Sequence, residues 1–317
     1  MQAWKLPSRD LSFEKPRIMG ILNITPDSFS DGGRFLEADA AFSQGQKLIA
    51  DGADILDLGA ESTRPGADPV SAEVQIARLV PVLERLKKLF VPVSIDTTHP
   101  DVAEACLKAG AEIINDVSGL RDSGGRLAEI AARYRAGLVL MHRRGNAETM
   151  QKLAVYEDLI KEVTEELAQS RDSALEQGVA KEAIVLDPGL GFSKNFEQNL
   201  FLLKHLEQFG RLGCPLLLGA SRKSFIGHVT GRDVHEREFG SAACVAQGYA
   251  KGARFFRVHD VKATRDVLKM LEAIDGASFK ANARLGCLQV VSLNGLICSA
   301  QTAASFGAEL AAQIKPL

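Results

Sequence analysis

No stretch of the 317 residues approaches the roughly 20 consecutive apolar residues that a membrane span needs. Met1 to Pro16 alternates charged and apolar residues and lacks the continuous apolar core of a signal peptide. A cytoplasmic protein with no membrane partner is therefore expected. An excess of charge is also missing. Lys and Arg total 38 against 40 Asp and Glu, a net charge of −2, so no overall pull toward nucleic acid exists and any anion site must be local. Cysteines are few and scattered. Cys106, Cys214, Cys244, Cys287 and Cys298 make no CxxC pair and lie near no histidine at metal-ligand spacing. That argues against structural zinc and a disulfide framework, and for thiols in a reducing compartment. No GxGxxG opens the first helical stretch and no GxSxG is found, which weakens dinucleotide binding and serine-nucleophile chemistry.

What the chain does have is a rhythm. Hydrophobic residues make up 46% and charged residues 25%, enough to bury one large core. Compact apolar runs occur at Arg17–Asn23, Ile55–Gly59, Pro92–Asp96, Ile113–Val117, Gly137–His142, Ile184–Gly189, Pro215–Ser221 and Arg254–Asp260. Little polar alternation interrupts them, as expected of parallel strands covered on both faces. Stretches of helical period lie between them. Ala72–Phe90 places Val74, Ala77, Leu79, Val80, Leu83 and Leu86 along one side, and Tyr156–Gly178 and Glu197–Leu212 read alike.

Eight strands, each followed by a helix, suit a closed (β/α)8 TIM barrel or a doubly wound sheet. The unusual residues recur at the carboxyl end of nearly every strand, which favours the barrel, since a doubly wound sheet gathers them at one switch point. The expected organisation is an N-terminal extension at 1–16, a single barrel at 17–276, and a C-terminal extension at 277–317. Ser278–Leu317 carries only Lys280, Arg284, Glu309 and Lys315 as charges. It reads as a disordered or non-native appendage rather than a docking helix.

Those strand ends deliver Asn23, then Glu61-Ser62-Thr63-Arg64-Pro65-Gly66, Asp96, Asn115-Asp116, His142, Asp187-Pro188-Gly189, Ser221-Arg222-Lys223-Ser224 and Arg257-Val258-His259-Asp260. Singly, an Asp or Asn there is as often a helix cap as a functional group. Capping does not explain the convergence of carboxylates and an amide on strands three, four and six with cations on seven and eight. In a barrel these face one mouth. Asp and Asn can pair with a flat heterocycle rich in N–H and C=O groups, such as a pterin, while Arg and His suit a phosphate. A group transfer with a phosphate-type leaving group fits better than hydrolysis or redox chemistry.

Met19-Gly20-Ile21-Leu22-Asn23-Ile24-Thr25-Pro26-Asp27-Ser28-Phe29-Ser30-Asp31-Gly32-Gly33, Glu61 to Gly66, Asn115-Asp116-Val117-Ser118-Gly119, Asp187-Pro188-Gly189, Ser221 to Gly227 and Arg257 to Asp260, taken in order, resemble the dihydropteroate synthase family. The resemblance runs from about Arg17 to about Ala273. It implies condensation of 6-hydroxymethyl-7,8-dihydropterin pyrophosphate with p-aminobenzoate in folate biosynthesis, through loss of pyrophosphate from the pterin methylene. It implies a pterin pocket of Asp96, Asn115, Asp187 and Lys223 walled by Met141, Phe192 and Gly219, with Asp96, Asp187 and Lys223 as catalytic groups. Asn23, Arg257 and His259 would hold pyrophosphate, with Mg²⁺ on Asn23. Phe29, Asp31, Thr63, Arg64, Pro65 and Ser224 would receive p-aminobenzoate, and a homodimer is implied.

The chain departs from the family pattern at Ser193 and Asn195, where Gly and Thr are frequent, and at Arg143-Arg144, which adds a cation after His142. Two other readings share parts of this pattern: a pterin-dependent corrinoid methyltransferase, and a pterin-binding barrel without catalysis. Ser221 to Ser224 and Glu61 to Gly66 argue against the first, and the pairing of Arg257 with His259 against the second. Response to sulfonamides, including a resistant form, would turn on Phe29, Thr63, Pro65 and Ser224.

Overall fold

A computed structural model of the chain describes residues 2–24, 34–61 and 70–278. A hairpin comes first, with β1 (Ala3–Lys5) antiparallel to β2 (Asp10–Ser12). Eight parallel strands follow: β3 (Arg17–Asn23), β4 (Ile55–Gly59), β5 (Val93–Asp96), β6 (Ile113–Asp116), β7 (Gly137–Met141), β8 (Ile184–Asp187), β9 (Leu217–Leu218) and β10 (Phe255–Val258). Their order is β8-β7-β6-β5-β4-β3-β10-β9. A parallel bridge from Leu186 to Leu216, with the Leu186 N–H on the Pro215 carbonyl at 3.0 Å, joins the two ends and closes the barrel.

The sequential strands are separated by helices, as parallel pairing requires. These are α1 (Arg34–Ala50), α2 (Ala72–Leu86), α3 (Pro100–Lys108), α4 (Arg126–Tyr134), α5 (Leu159–Glu176) and α6 (Phe196–Lys204). Two helices, α7 (Ser224–Thr230) and α8 (Glu238–Ala250), lie between β9 and β10, where one was expected, and α9 (Val261–Asp275) ends the series. Two compact units are distinguished, Met1–Met270 and Leu271–Leu317. The described part of the second is the last turn of α9 and residues 276–278, where the Gly276 N–H meets the Glu272 carbonyl at 3.0 Å. The rest of the C-terminal extension lies outside the described residues.

Strand parity sorts the side chains. One set, including Ile18, Leu22, Leu56, Leu58, Ile95, Ile114, Leu138, Leu140, Leu186 and Phe256, packs into the large core shared with the helices. The alternate set, Met19, Ile55, Ile113, Val139, Val185, Leu217 and Phe255, forms a separate apolar cluster inside the barrel. Trp4 from the hairpin completes that cluster, fully buried, with its N–H on the Ala183 carbonyl at 2.7 Å and its ring edge-on to Phe255 at 5.0 Å. Trp4 and Leu6, with Leu11 and Phe13 packed against them, thus close the amino end of the barrel. An interior sealed at one end leaves ligand space only at the other, the carboxyl end.

Some expected boundaries shift. Strand seven shrinks to Leu217–Leu218, and the helix expected over Glu197–Leu212 breaks after Lys204 into a 3-10 segment, Leu206–Leu212, which contains Gly210 and stops at Gly213 with φ +69. On α2, Val74 is exposed and Gln75 is buried in its place. The Gln75 amide donates to Glu61 Oε2 at 3.2 Å and to the Val70 carbonyl at 2.9 Å, so hydrogen bonding overrides the hydrophobic pattern there. Among the described residues no helix is long and apolar enough to cross a membrane, and Cys106, Cys214 and Cys244 are buried free thiols.

Candidate active site

Two residues above the apolar cluster, the same parity turns polar. Met19 gives way to Ile21 and then Asn23 on β3, Ile55 to Asp57 on β4, Ile113 to Asn115 on β6, Val185 to Asp187 on β8, and Phe255 to Arg257 on β10. Register places Asp57 opposite Ser94, Gly59 opposite Asp96, Asp96 opposite Asn115, and Met141 opposite Asp187. Alternation alone therefore brings Asp96, Asn115, Met141 and Asp187 together.

Arg257 is the hub. Its Nε donates to Asp57 Oδ2 and its Nη2 to Asp96 Oδ2, each at 2.7 Å. The Asn115 amide donates to the same Asp57 oxygen at 3.3 Å. Asp57 Oδ1, Asp96 Oδ1 and the Ser94 hydroxyl are buried and, among the described residues, lack hydrogen-bond partners. Buried acceptors in that state cost free energy until a donor arrives, and three of them here mark a place for a donor-rich ligand. Burial pushes Asp96 up to about 7 against the pull of Arg257, with Asp57, Glu61 and Asp116 adding to the rise. Burial works the other way on Arg257, yet Asp57 and Asp96 hold it firmly charged.

A second acid–base pair closes the floor. Asp187 Oδ1 accepts the Gly189 N–H at 2.7 Å, and burial raises its carboxyl against the pull of Lys223. Burial brings Lys223 down to about 8, with Asp187 opposing. The Lys223 ammonium donates to the Leu190 carbonyl and stands 4.6 Å from the centre of the Phe192 ring. Space is left by glycine. A Cβ on Gly219 would come no nearer than 3.6 Å to Asp187 Oδ2, and one on Gly59 no nearer than 3.7 Å to Asn23 Oδ1 or Asp96 Cβ.

Toward the rim, Asn23 is exposed at the end of β3. The Ser221 hydroxyl accepts the His259 N–H at 3.1 Å and meets His259 Nδ1 at 3.0 Å. That contact fixes the ring's orientation through Nδ1 and turns Nε2 away from Ser221. Arg257, expected with Asn23 and His259 to hold pyrophosphate, bonds the floor carboxylates Asp57 and Asp96. Ser224 is exposed at the first position of α7. Arg222 sits at φ +59, with its guanidinium on Asp260 and its N–H on the Ser241 hydroxyl at 3.0 Å, so the turn presenting Lys223 and Ser224 is tied to β10 and α8. Phe29, Asp31, Thr63, Arg64 and Pro65 lie outside the described residues.

Asp116, next to Asn115, has the outward parity and a different task. Its carboxylate takes the Ser118 N–H at 2.8 Å, the Ser118 hydroxyl at 2.7 Å and the Leu120 N–H at 2.6 Å, which shapes the loop after β6. The residue that sequence reasoning missed is Asp57. Its signal is a lone carboxylate in Ile-Leu-Asp-Leu-Gly, fully buried and with the parity of Gly59.

Residues 19–259 match the family model described as pterin binding enzyme. The dihydropteroate synthase of Synechocystis is 46% identical over 259 residues, covering 81% of this chain and 89% of that protein. A solved dihydropteroate synthase from Xanthomonas albilineans with 4-aminobenzoic acid is similar at a TM-score of 0.81 and 41% identity, covering 87% of this chain and all of that one. The Yersinia pestis dihydropteroate synthase, solved as a sulfonamide drug complex, is similar at a TM-score of 0.81 and 38% identity, with coverage of 87% and 100%.

Proposed function

The chain belongs to the dihydropteroate synthase family of pterin-binding transferases in folate biosynthesis, and on that premise we propose how the barrel mouth divides the work. The observation that carries the reading is the floor itself. Asp57 and Asp96 each keep one buried oxygen that, among the described residues, has no hydrogen-bond partner, beside Asn115, Asp187 and Lys223, and a pterin's amino and ring N–H groups are donors that could fill them.

In this reading Asp96, Asn115 and Asp187 bind the polar edges of the pterin. Phe192 and Met141 line its faces, and Gly219 leaves room for the ring. Lys223, held over Phe192, donates to the ring from the side of Asp187. Loss of pyrophosphate from the pterin methylene leaves a delocalised cation, and the Asp96 carboxylate stabilises it when ionised. Arg257 keeps its Nε on Asp57 while its Nη2 is the arm that can leave Asp96 for the departing phosphate. His259 stands at the same rim and donates to the same group from its ring. p-Aminobenzoate brings a neutral amine and needs no strong base, and Ser224 with Phe29, Asp31, Thr63, Arg64 and Pro65 receives it. Sulfonamides would act by occupying that second-substrate site.

Mg²⁺ fits this rim. The Asn23 amide offers a hard oxygen, and Mg²⁺ takes few protein oxygens when substrate phosphates and water complete its shell. Among the described residues no group of three or more His, Cys, Asp or Glu is arranged to hold a metal ion. When bound, the ion would neutralise charge on the leaving pyrophosphate. The same family reading gives a homodimer with small-molecule partners only, and the free thiols support a cytoplasmic setting. We take residues 17–276 as the catalytic barrel.

Calorimetry with the pterin pyrophosphate tests the floor. Wild type should bind it, and Lys223→Met and Asp187→Asn should each lose at least tenfold in affinity while staying folded. Wild-type affinity in both variants would remove the pterin from this site.

A further inference from the structure

Beside the floor lies a buried group that the mechanism does not use. Lys194 is 2% exposed, and among the described residues it has no carboxylate within ion-pair distance. Its Nζ, which burial pushes well below the usual lysine range, instead lies 2.9 Å from the Phe192 carbonyl and 2.9 Å from His142 Nδ1. A buried lysine without an ion pair is costly, so its two contacts need a reason.

Hydrogen-bond logic fixes the direction of the chain. Glu166 on α5 takes Arg121 Nη2 and Arg144 Nε, each at 2.8 Å, and His142 Nε2 at 3.1 Å. Burial would raise its carboxyl, but the bonds from His142 and Arg144 hold it at about 2, so it only accepts. His142 must then donate from Nε2. Burial pushes that ring down to about 3, so it is neutral and offers a lone pair at Nδ1. Lys194 fills that lone pair, and donates again to Phe192.

A second arm reaches the next residue from the same anchor. The Arg144 guanidinium lies 4.1 Å over the Tyr156 ring, and the Tyr156 hydroxyl donates to the Ser193 carbonyl at 2.9 Å. The Arg144 N–H donates to the Ser193 hydroxyl at 2.9 Å. Ser193 has φ +45, a conformation that L residues adopt only when their surroundings hold them there. Two of the departures from the family pattern, Ser193 and Arg144, therefore meet in one network. Both arms converge on the segment that carries Phe192, whose ring faces Lys223.

We propose that Lys194 is a positioning residue of the pterin pocket, fixing the Phe192 carbonyl through a buried brace that runs by way of His142 to Glu166. This rests on the reading of Phe192 and Lys223 as pterin contacts. The brace acts on one substrate only, so its loss should weaken the pterin pyrophosphate and spare p-aminobenzoate.

The test is steady-state kinetics with calorimetry on three variants of the full chain. Lys194→Met removes both donors and keeps a side chain of similar length; Lys194→Gln keeps an N–H for the Phe192 carbonyl. We expect Lys194→Met to raise KM and Kd for the pterin pyrophosphate at least tenfold, with KM for p-aminobenzoate within twofold. Lys194→Gln should recover most of that loss. An unchanged pterin KM, an equal rise in both KM values, or a Gln variant as weak as the Met variant would overturn the brace. Should Lys194→Met not fold, Glu166→Gln loosens the same chain at its other end and should show the same split, and an unchanged pterin KM there would count against it. Lys223→Met and Asp187→Asn serve as references. If they bind normally, the pocket reading has failed; if they weaken while the Lys194 variants do not, the brace alone has failed.

Discussion

Gly219→Ala separates fold from function with a single methyl group. Gly219 lies just past β9 and its φ is not in the left-handed region, so alanine meets no backbone penalty there. The added Cβ would sit 3.6 Å from Asp187 Oδ2 and 3.9 Å from Arg257 Cβ, ordinary contact distances. Replacing glycine at a compatible site lowers the entropy of the unfolded chain and should stabilise by about 0.4–1 kcal/mol. For a barrel of this size that raises Tm by roughly 1–4 °C. The same methyl would stand on the floor where the pterin lies. Forcing a ligand past an extra methyl costs about 1–3 kcal/mol, a loss of roughly 5- to 150-fold in affinity. Thermal melts and calorimetry with the pterin pyrophosphate measure the two effects separately. Gly189→Ala is the contrast, since φ is +72 and its Cβ would lie 2.0 Å from the His142 carbonyl oxygen, so that variant should lose stability. Wild-type pterin affinity in a stable Gly219→Ala would refute the pocket, and a lower Tm would refute the packing argument.

Asp96→Asn should lower turnover by about 10²-fold or more, and its stability should depend on pH in a set direction. The folded state holds the Asp96 proton up to about 7, well above the usual 3.8, so its stabilising contribution is complete below pH 4 and lost as pH rises through 7. The asparagine variant should therefore melt above wild type at pH 8, with the gap closing toward pH 4; a pH-independent gap would contradict the burial argument. Asp57→Asn removes the carboxylate that anchors Arg257 Nε, and a hydrogen bond between charged groups contributes about 1.5–3 kcal/mol. Its kcat/KM for the pterin substrate should fall roughly 10- to 100-fold, and an unchanged value would show that Arg257 needs no anchor. Trp4→Ala should cost about 3–5 kcal/mol and roughly 6–20 °C in Tm while kcat/KM stays near wild type, because Trp4 seals the end of the barrel away from the mouth. A loss of turnover at a temperature where the variant is folded would contradict that separation.

Barrel and floor were legible in the chain because parallel strands buried on both faces leave continuous apolar runs, and the residues that end them stand out. Asp96, Asn115, Asp187 and Lys223 were found that way. Asp57 was not, because it sits within its strand, and only parity counted from Gly59 turns it inward. Gln75 was missed for the opposite reason. Hydrophobic period favours Val74, while the burial of an amide depends on Glu61 and Val70, which are distant in the pattern. The role of the N-terminal hairpin was equally hidden, since three-residue strands carry little periodicity and Trp4 finds partners as distant in the chain as Ala183 and Phe255. The family resemblance gave Arg257 its place at the pyrophosphate. Its hold on Asp57 and Asp96 depends on spacing across the barrel, which no local motif encodes.

One coupled measurement tests the condensation directly. Purified protein is given the pterin pyrophosphate and p-aminobenzoate with Mg²⁺, and pyrophosphate and 7,8-dihydropteroate are quantified in the same sample. Equimolar products that appear only when p-aminobenzoate is present are expected. Pyrophosphate release without dihydropteroate, or no p-aminobenzoate-dependent product at all, would contradict that expectation.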